Sequence, residues 1–500
     1  YILVDLTVRV NFAQIDQIAI KMGMDLENDK RIRSGIKYAL KLSTNNGHCA
    51  ALYENLIQFV KDLLNVSEVM IENNIIFLKT KNEIVLEDRE NQEWVYLYNY
   101  YVAEKNVAES LIALDNYLNV KEISNFEKKL KKIEKHSDLE LSEKQREAVI
   151  AVQEHNVCVI TGGPGTGKTT IIKTIIEMYK QEEKKVVLCA PTGRAAKRMS
   201  EATGEEAKTL HRLLEIGKTS SDELQNIDPN VEVAPLDADV IIVDEVSMVD
   251  IFLMNYLLQA IYKGTKLVLV GDSNQLPSVG PGNVLKDIIQ SERLTTITLN
   301  KIFRQAAKSK IILNSHKVNE GISIFSKDEQ NENEELLEDF FFINETNKLK
   351  VLENIISLCT GRLEKYGNYT FAQNIQVISP TKKGELGTKE LNKSLQQAIN
   401  PESEEKNERK YIDSVFREGD RIMQIKNNYD IYWEKREPTL EMGKGVFNGE
   451  YGTILNIDEV EKKVKIKFDD DKLVWYNFDE LEQIEHSYCI TVHKAQRKRI

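Results

Sequence analysis

Through the first part of the chain, apolar residues recur every three or four positions. IDQIAIKMGM, RIRSGIKYALKL and LYENLIQFVKDLLNV all show this spacing, which is that of helices burying one face. VYLYNYYVAEKNVAESLIAL continues the pattern with many tyrosines, so residues 1 to about 120 read as helical. NFEKKLKKIEKHSDLE is dominated by charge and reads as a solvated helix leading into the next domain. From about residue 141 the rhythm changes. Short β-branched runs, NVCVI, KVVLCA, DVIIVDE and TKLVLVGD, alternate with helical segments and are apolar at nearly every position. Strands of that kind are buried on both faces of a parallel sheet. IQVISP and YCITVHKAQ restart the pattern. Between them GDRIMQIKNN and GVFNGEYGTILNIDEVEKKVKIKFDDDKLVWY alternate with period two around NG and DD turns, as in a small antiparallel β-barrel. SKDEQNENEELLED is acidic and reads as an exposed linker.

The expected architecture is therefore α/β. A helical domain occupies 1–125 and a first parallel-sheet domain 126–305. A second, incomplete parallel-sheet domain occupies 306–410 and 476–500, with the small β-barrel inserted over 411–475. Composition adds limits rather than identity. The 500 residues suit roughly three domains. No apolar stretch approaches the roughly 18 residues of a membrane span, so no membrane association is expected. The five cysteines lie far apart without a CxxC pair, which argues against a zinc or iron–sulfur site and for reduced thiols in a cytoplasmic setting. A net charge of −12 argues against a surface coated for nucleic acid. It leaves room for a local groove, because phosphate contacts depend on nearby Lys and Arg.

The clearest chemical signal is VCVITGGPGTGKTT, a strand, a glycine-rich loop and a helix start in register. Gly162, Gly163, Pro164, Gly165, Thr166 and Gly167 would curl their backbone around phosphate oxygens, with Lys168 on the β/γ-phosphates and Thr169 and Thr170 opening the helix. The Thr169 hydroxyl would ligate Mg²⁺. VIIVDEVSMVD carries Asp244 and Glu245 out at a strand's C-terminal end, where open α/β sheets bind ligands. Asp244 would hold Mg²⁺ through water, and Glu245 would take a proton from an attacking water. A strand ending in DE is common, and it is the pairing with the loop that favours hydrolysis. VGDSNQLPSVGPG then places Gln275 where a terminal phosphate can be sensed, and LNKIFRQA offers Arg304.

This order of motifs resembles the RecD family of superfamily 1 DNA helicases, in the longer branch that works without RecB and RecC. LSEKQREAV is similar to the family's adenine-recognising motif through Gln145, and GGPGTGKTT and VDEVSMVD to its two nucleotide motifs. GDSNQLPSVGPG resembles its coupling motif, FRQA its arginine-bearing motif, FREGDRIMQIKNNYD … GVFNGEYG its inserted barrel, and ITVHKAQ the motif linking DNA to ATP. The resemblance implies two RecA-like motor domains sharing ATP·Mg²⁺, with Arg304 as an arginine finger. It also implies single-stranded DNA across the motor and 5′-to-3′ movement. Thr192, Arg194, His211, Asn274, Thr491 and His493 stand at the matching strand ends as DNA contacts. Each has a plainer alternative as a cap, turn or packing residue. A monomer that works beside single-strand-binding or repair proteins is the expected assembly. FAQIDQIAIKMGM, RIRSGIKYAL and NNGHCALYENL resemble the stretch after the family's helix-hairpin-helix element, but Arg9 and Asn11 stand where it usually has glycines.

After HKAQ the family continues Gly-Ser-Glu and an apolar residue, whereas this chain reads Arg497, Lys498, Arg499 and Ile500. One inserted A or C before GGA AGC GAA TT(n) yields that ending, so a frameshift is the expectation here. Loss of the family's last motif would remove a second arginine, and an arginine finger contributes about 10³–10⁵ in rate, so the expectation is ATP binding with impaired DNA-stimulated hydrolysis and little unwinding. The competing expectation is a DNA- or partner-binding remnant that binds ATP without turnover. A phosphate-loop kinase is disfavoured, because the second lobe and coupling motifs have no purpose there.

Overall fold

The computed structural model describes residues 12–117, 126–136, 140–216, 229, 231, 233–303, 308–325, 337–367, 369–371, 374–436 and 440–498. They form two compact units, Tyr1–Phe340 and Phe341–Ile500. Arg9, Asn11, Arg304, Arg499 and Ile500 lie outside the described residues, as does most of the acidic linker.

Helices α1 (Phe12–Lys21), α2 (Asp29–Asn45), α3 (Tyr53–Leu64) and α4 (Glu68–Thr80) open the first unit. They bury Phe12, Ile32, Ile36, Val60, Ile71 and Ile75 in one cluster. This region is not purely helical. Strands β1 (Ala50–Leu52), β2 (Ile84–Arg89) and β3 (Gln92–Leu97) make an antiparallel sheet in the order β1-β3-β2. The hairpin between β2 and β3 turns through Glu90 and Asn91, both at positive φ (53° and 62°), the twist two-residue hairpins favour. VYL belongs to β3, and helix α5 begins only at Tyr98 (Tyr98–Asp115). Helix α6 (Phe126–His136) is likewise less solvated than its charge implied, since Leu130 and Ile133 are buried against the core.

The expected parallel sheet follows. Strands β4 (Val157–Gly162), β5 (Val186–Ala190), β6 (Ala207–Thr209), β7 (Val240–Val243), β8 (Lys266–Gly271) and β9 (Thr295–Leu299) pair in the order β6-β5-β7-β8-β4-β9, every neighbour parallel. Alternate residues of each strand serve opposite faces. Val157, Val159, Ile241, Val243, Leu267 and Leu269 join one cluster. Cys158, Ile160, Val240, Ile242, Val268 and Val270 join the other. Helices α7 (Glu143–Glu154) and α8 (Lys168–Lys180) cover the second face together with α6. Helices α11 (Ile251–Ala260) and α12 (Val284–Gln290) cover the first, and α5 lies there too, with Ala103, Val107, Leu111 and Leu114 buried in the same cluster. Helices α9 (Gly193–Thr203), α10 (Leu210–Leu213) and α13 (Lys310–Asn319) complete the described α-helices of this unit.

Further bonds fix α5 to the sheet. Asn156 Nδ2 donates to the carbonyls of Leu114 (3.2 Å) and Tyr117, and Asp115 Oδ1 accepts from the Val157 amide at 3.0 Å. Tyr100 meets Phe252 edge-to-face at 4.9 Å.

In the second unit, β10 (Val377–Ser379) pairs in parallel with β20 (Cys489–Thr491), beside helices α14 (Lys348–Ser357) and α15 (Thr388–Ile399). Helix α16 (Val492–Lys498) follows β20. Strands β11 (Glu408–Tyr411) and β12 (Ser414–Arg417) form a separate hairpin. Strands β13 (Arg421–Gln424), β14 (Asn428–Lys435), β15 (Glu441–Val446), β16 (Tyr451–Asp458), β17 (Lys463–Phe468), β18 (Leu473–Asn477) and β19 (Ile484–His486) make the inserted antiparallel sheet. It continues through β19 to His486, past residue 475, before the chain rejoins β10 through β20. Asp420, wholly buried, joins the two parts. It accepts from the Arg417 amide (2.8 Å), Gln396 Nε2 (2.6 Å), Asn400 Nδ2 (2.8 Å) and Tyr488 OH (2.9 Å), with His486 Nε2 at 3.0 Å.

Candidate nucleotide site

Strand β4 delivers the phosphate loop to the C-terminal edge of the parallel sheet, and α8 leaves from it. Thr166 Oγ1 donates to Gly163 O at 2.8 Å, closing the turn on itself. Lys168 Nζ folds back to Gly162 O (2.5 Å) and Gly163 O (3.1 Å), with the Thr170 amide on Gly167 O at 3.1 Å. Thr169 is exposed on the first turn of α8. Gly162 is packed so tightly that a Cβ there would lie 2.8 Å from Thr166 Oγ1 and 2.9 Å from Leu299 Cβ, so only glycine fits.

Three neighbours brace this loop. Gln145, assigned from sequence to the adenine, is 2% exposed and is the third residue of α7, in a capping box with Ser142. Its Oε1 accepts from the Ser142 amide at 3.0 Å, while Nε2 reaches Thr166 O at 3.4 Å and Gly167 O at 3.5 Å. The Phe303 amide donates to Gly165 O at 3.2 Å, and its ring crowds Gly167. His316 Nε2 lies 3.3 Å from Pro164 O. Phe303 and His316 were missed by sequence reasoning. They come from beyond β9, and no local pattern signals such long-range contacts.

Asp244 and Glu245 follow β7 at the same sheet edge. One strand, β8, separates β7 from β4, so the two motifs stand about 10 Å apart by strand spacing. The Glu245 amide donates to Asp244 Oδ1 at 2.8 Å. Glu245 is buried and adopts φ 56°, ψ 41°, a left-handed conformation that costs a non-glycine residue about 1–3 kcal/mol and clusters at functional sites. The Asp244 carboxylate and Thr169 hydroxyl are hard oxygen donors suited to Mg²⁺, which takes most of its ligands from phosphates and water.

The loop after β8 is organised by a third residue that sequence reasoning passed over. Asp272, 3% exposed, accepts from the Asn274 amide (3.1 Å) and Gln275 Nε2 (3.3 Å). The GDSNQ string carried that signal, an aspartate followed by residues prone to Asx turns. The Ser273 amide donates to Thr161 Oγ1 at 3.3 Å, linking this loop to the strand beneath the phosphate loop. Further on, Ser278 Oγ donates to the carbonyls of Gly280 (2.8 Å) and Gly282 (2.9 Å), and the Gly282 amide donates to Gly47 O at 3.0 Å.

The sequence-predicted DNA contacts divide. Thr192 caps α9 through the Ala195 amide (3.3 Å), and Thr491 accepts from the Lys494 amide (3.3 Å), so both hydroxyls have structural partners. Arg194 and Asn274 are exposed in the first unit and His493 in the second. His211 is half-buried. Burial pushes its imidazole below the ordinary value, against the pull of Asp250.

A parallel sheet with a phosphate loop and an acidic pair at its carboxyl edge is the arrangement of phosphate-loop nucleotide-binding domains. Comparison with known families narrows this. The family model described as an AAA domain matches residues 145–281. The ATP-dependent RecD-like DNA helicase SH3 domain matches 391–468, and the ATP-dependent RecD2 DNA helicase HHH domain matches 1–50. The ATP-dependent RecD2 DNA helicase of Deinococcus radiodurans is 33% identical over 71% of this chain and 44% of its own length. RecBCD enzyme subunit RecD of Buchnera aphidicola subsp. Schizaphis graminum is 30% identical over 80% of this chain and 73% of its own. An uncharacterised protein of Methanocaldococcus jannaschii is 28% identical over 89% of this chain. The chain spans 44% and 42% of the Deinococcus and Methanocaldococcus proteins. The chain belongs to the RecD-like family of superfamily 1 DNA helicases.

Proposed function

We propose that this chain binds ATP·Mg²⁺ and couples its hydrolysis to 5′-to-3′ movement along single-stranded DNA. The observation that carries this reading is the phosphate loop closed on Lys168 with Asp244 and Glu245 at the same sheet edge. Lys168 neutralises the β/γ-phosphates, while Thr169 and Asp244 hold the metal. Glu245, fixed in its left-handed turn, accepts a proton from the attacking water. Gln275, held by Asp272, faces the terminal phosphate, and Arg304 supplies positive charge to the transition state. Gln145 contacts the adenine by exchanging its loop carbonyls for the base.

Thr192, Arg194 and Asn274 of the first unit, and separately Thr491 and His493 of the second, are the groups proposed to touch the sugar-phosphate chain without reading its sequence. The half-buried His211 of the first unit is proposed as a further contact. The proposal extends, on the resemblance to the RecD family, to a monomer that works in the cytoplasm beside single-strand-binding or repair proteins. No described helix is long and apolar enough to cross a membrane.

The test is ATP turnover with and without single-stranded DNA, beside Lys168→Ala. DNA-stimulated turnover that Lys168→Ala abolishes supports the reading. ATP binding without turnover in either condition would favour the remnant. Release of a protein block from one end of a strand reads direction, and clearance from the 5′ end alone would contradict the proposed polarity.

A further inference from the structure

Different segments hold different parts of the phosphate loop. Gln145 of α7 reaches Thr166 and Gly167, and Phe303 holds Gly165. The leading part, Gly163 and Pro164, is met by His316 of α13. A carbonyl can only accept, so the bond to Pro164 requires the proton on Nε2. The imidazole covers Gly163 closely, since a Cβ there would lie 2.7 Å from Cε1 and 3.2 Å from Nε2. Gly163 O also receives Lys168 Nζ at 3.1 Å. Lys168 is the group a phosphate loop sends to the β/γ-phosphates. His316 therefore stands at the terminal-phosphate end of the loop, away from the end that Gln145 braces.

Helix α13 is lightly held. None of its residues is buried, and Ser309, which caps it, bonds Asp339 at 2.5 Å. Helices with few buried apolar contacts open at low free energy. α13 is also the last described helix before the second unit begins at Phe341.

We propose that His316 is a specificity-determining residue which, through its Nε2–H bond to Pro164, shapes the leading edge of the phosphate loop for a triphosphate over a diphosphate. The proposal rests on the nucleotide reading above, and its test is binding rather than turnover. Fluorescent analogues of ADP and of a non-hydrolysable ATP are titrated with Mg²⁺ into the wild-type chain and into His316→Ala, His316→Gln and His316→Phe. His316→Ala is expected to weaken triphosphate binding about five- to tenfold, the scale of one neutral hydrogen bond. Diphosphate binding is expected to change by less than about twofold, since the lost bond lies at the terminal-phosphate end.

Glutamine keeps a donor at nearly the same reach and is expected to restore most of the loss. Phenylalanine fills the space without a donor and should behave as alanine does. Rescue by phenylalanine but not glutamine would make the residue a packing element and overturn the proposal. Equal weakening of both nucleotides would also overturn it. The glutamine–phenylalanine comparison still decides if His316→Ala does not fold. Failure of the wild-type chain to bind either analogue would instead sink the nucleotide reading itself.

Discussion

Gly282→Ala probes how the N-terminal region is seated on the loop after β8. Gly282 has φ +100°, and its amide donates to Gly47 O at 3.0 Å. A Cβ on Gly282 would lie 3.0 Å from Ile251 Cβ and 3.4 Å from Cys49 Sγ. The left-handed backbone costs an alanine about 1–2 kcal/mol. Pressing a methyl against two fixed neighbours adds about 1–3 kcal/mol. A weakened Gly47 bond adds up to about 1 kcal/mol, and the central expectation is a loss of about 4 kcal/mol.

Gly47→Ala is the matched control, because Gly47 has φ +91° but open space where its Cβ would go. It should cost only the backbone part, about 1–2 kcal/mol. Urea unfolding of both variants, with hydrogen exchange at residues 47–52, reads the two contributions separately. Gly282→Ala should unfold at lower urea and lose protection in β1 while Gly47→Ala keeps it. If the two variants unfold within about 0.5 kcal/mol of each other, the tight seating of Gly282 against Ile251 and Cys49 is wrong.

Three further outcomes are expected. Burial holds the folded pKa of His211 below 6.5. The stability tied to its neutral form is thus present above pH 6.5 and lost as pH falls through the folded value. Melting temperature should fall faster on acidification in the wild type than in His211→Gln. That difference separates the imidazole from Asp250, whose carboxyl burial pushes up and which titrates with the opposite sign, and identical pH profiles would refute it. Asp420→Ala strips the acceptor from four buried or half-buried donors and should destabilise the second unit by about 3–5 kcal/mol in urea unfolding. A loss under about 1 kcal/mol would show those donors re-partnering. Burial pushes the thiols of Cys158 and Cys489 up to about 12 and Cys359 up to about 11. At pH 8 about one in a thousand Cys359 side chains is then thiolate. The native chain should react slowly with a thiol reagent and quickly in urea, and rapid native labelling would contradict this.

What the sequence made legible follows from how local each signal was. The central strands showed themselves because VIIV and LVLVG are apolar at every position, as a sheet covered on both faces requires. The phosphate loop showed itself because its strand, turn and helix are contiguous. β3 escaped notice because VYLYNYY runs a strand straight into a helix without a breaker, so the aromatic run read as one element. Leu130 and Ile133 were hidden among seven charged neighbours in FEKKLKKIEKH, where two well-placed apolar residues suffice to dock a helix. Gln145 was visible as a motif residue, but its buried capping box was not, because the box depends on where the loop comes to rest. Phe303 and His316 reach the loop only through the fold.

The wall that α5 contributes to the first core has a consequence for how the chain is made. Ala103, Val107, Leu111 and Leu114 are translated long before α11, the helix they pack against. At about 5–20 residues per second, the interval from residue 115 to 251 leaves that greasy stripe uncovered on the ribosome for roughly 7–27 s. During that time an early-born piece waits for a late-born partner, and a holding chaperone would find its natural client there.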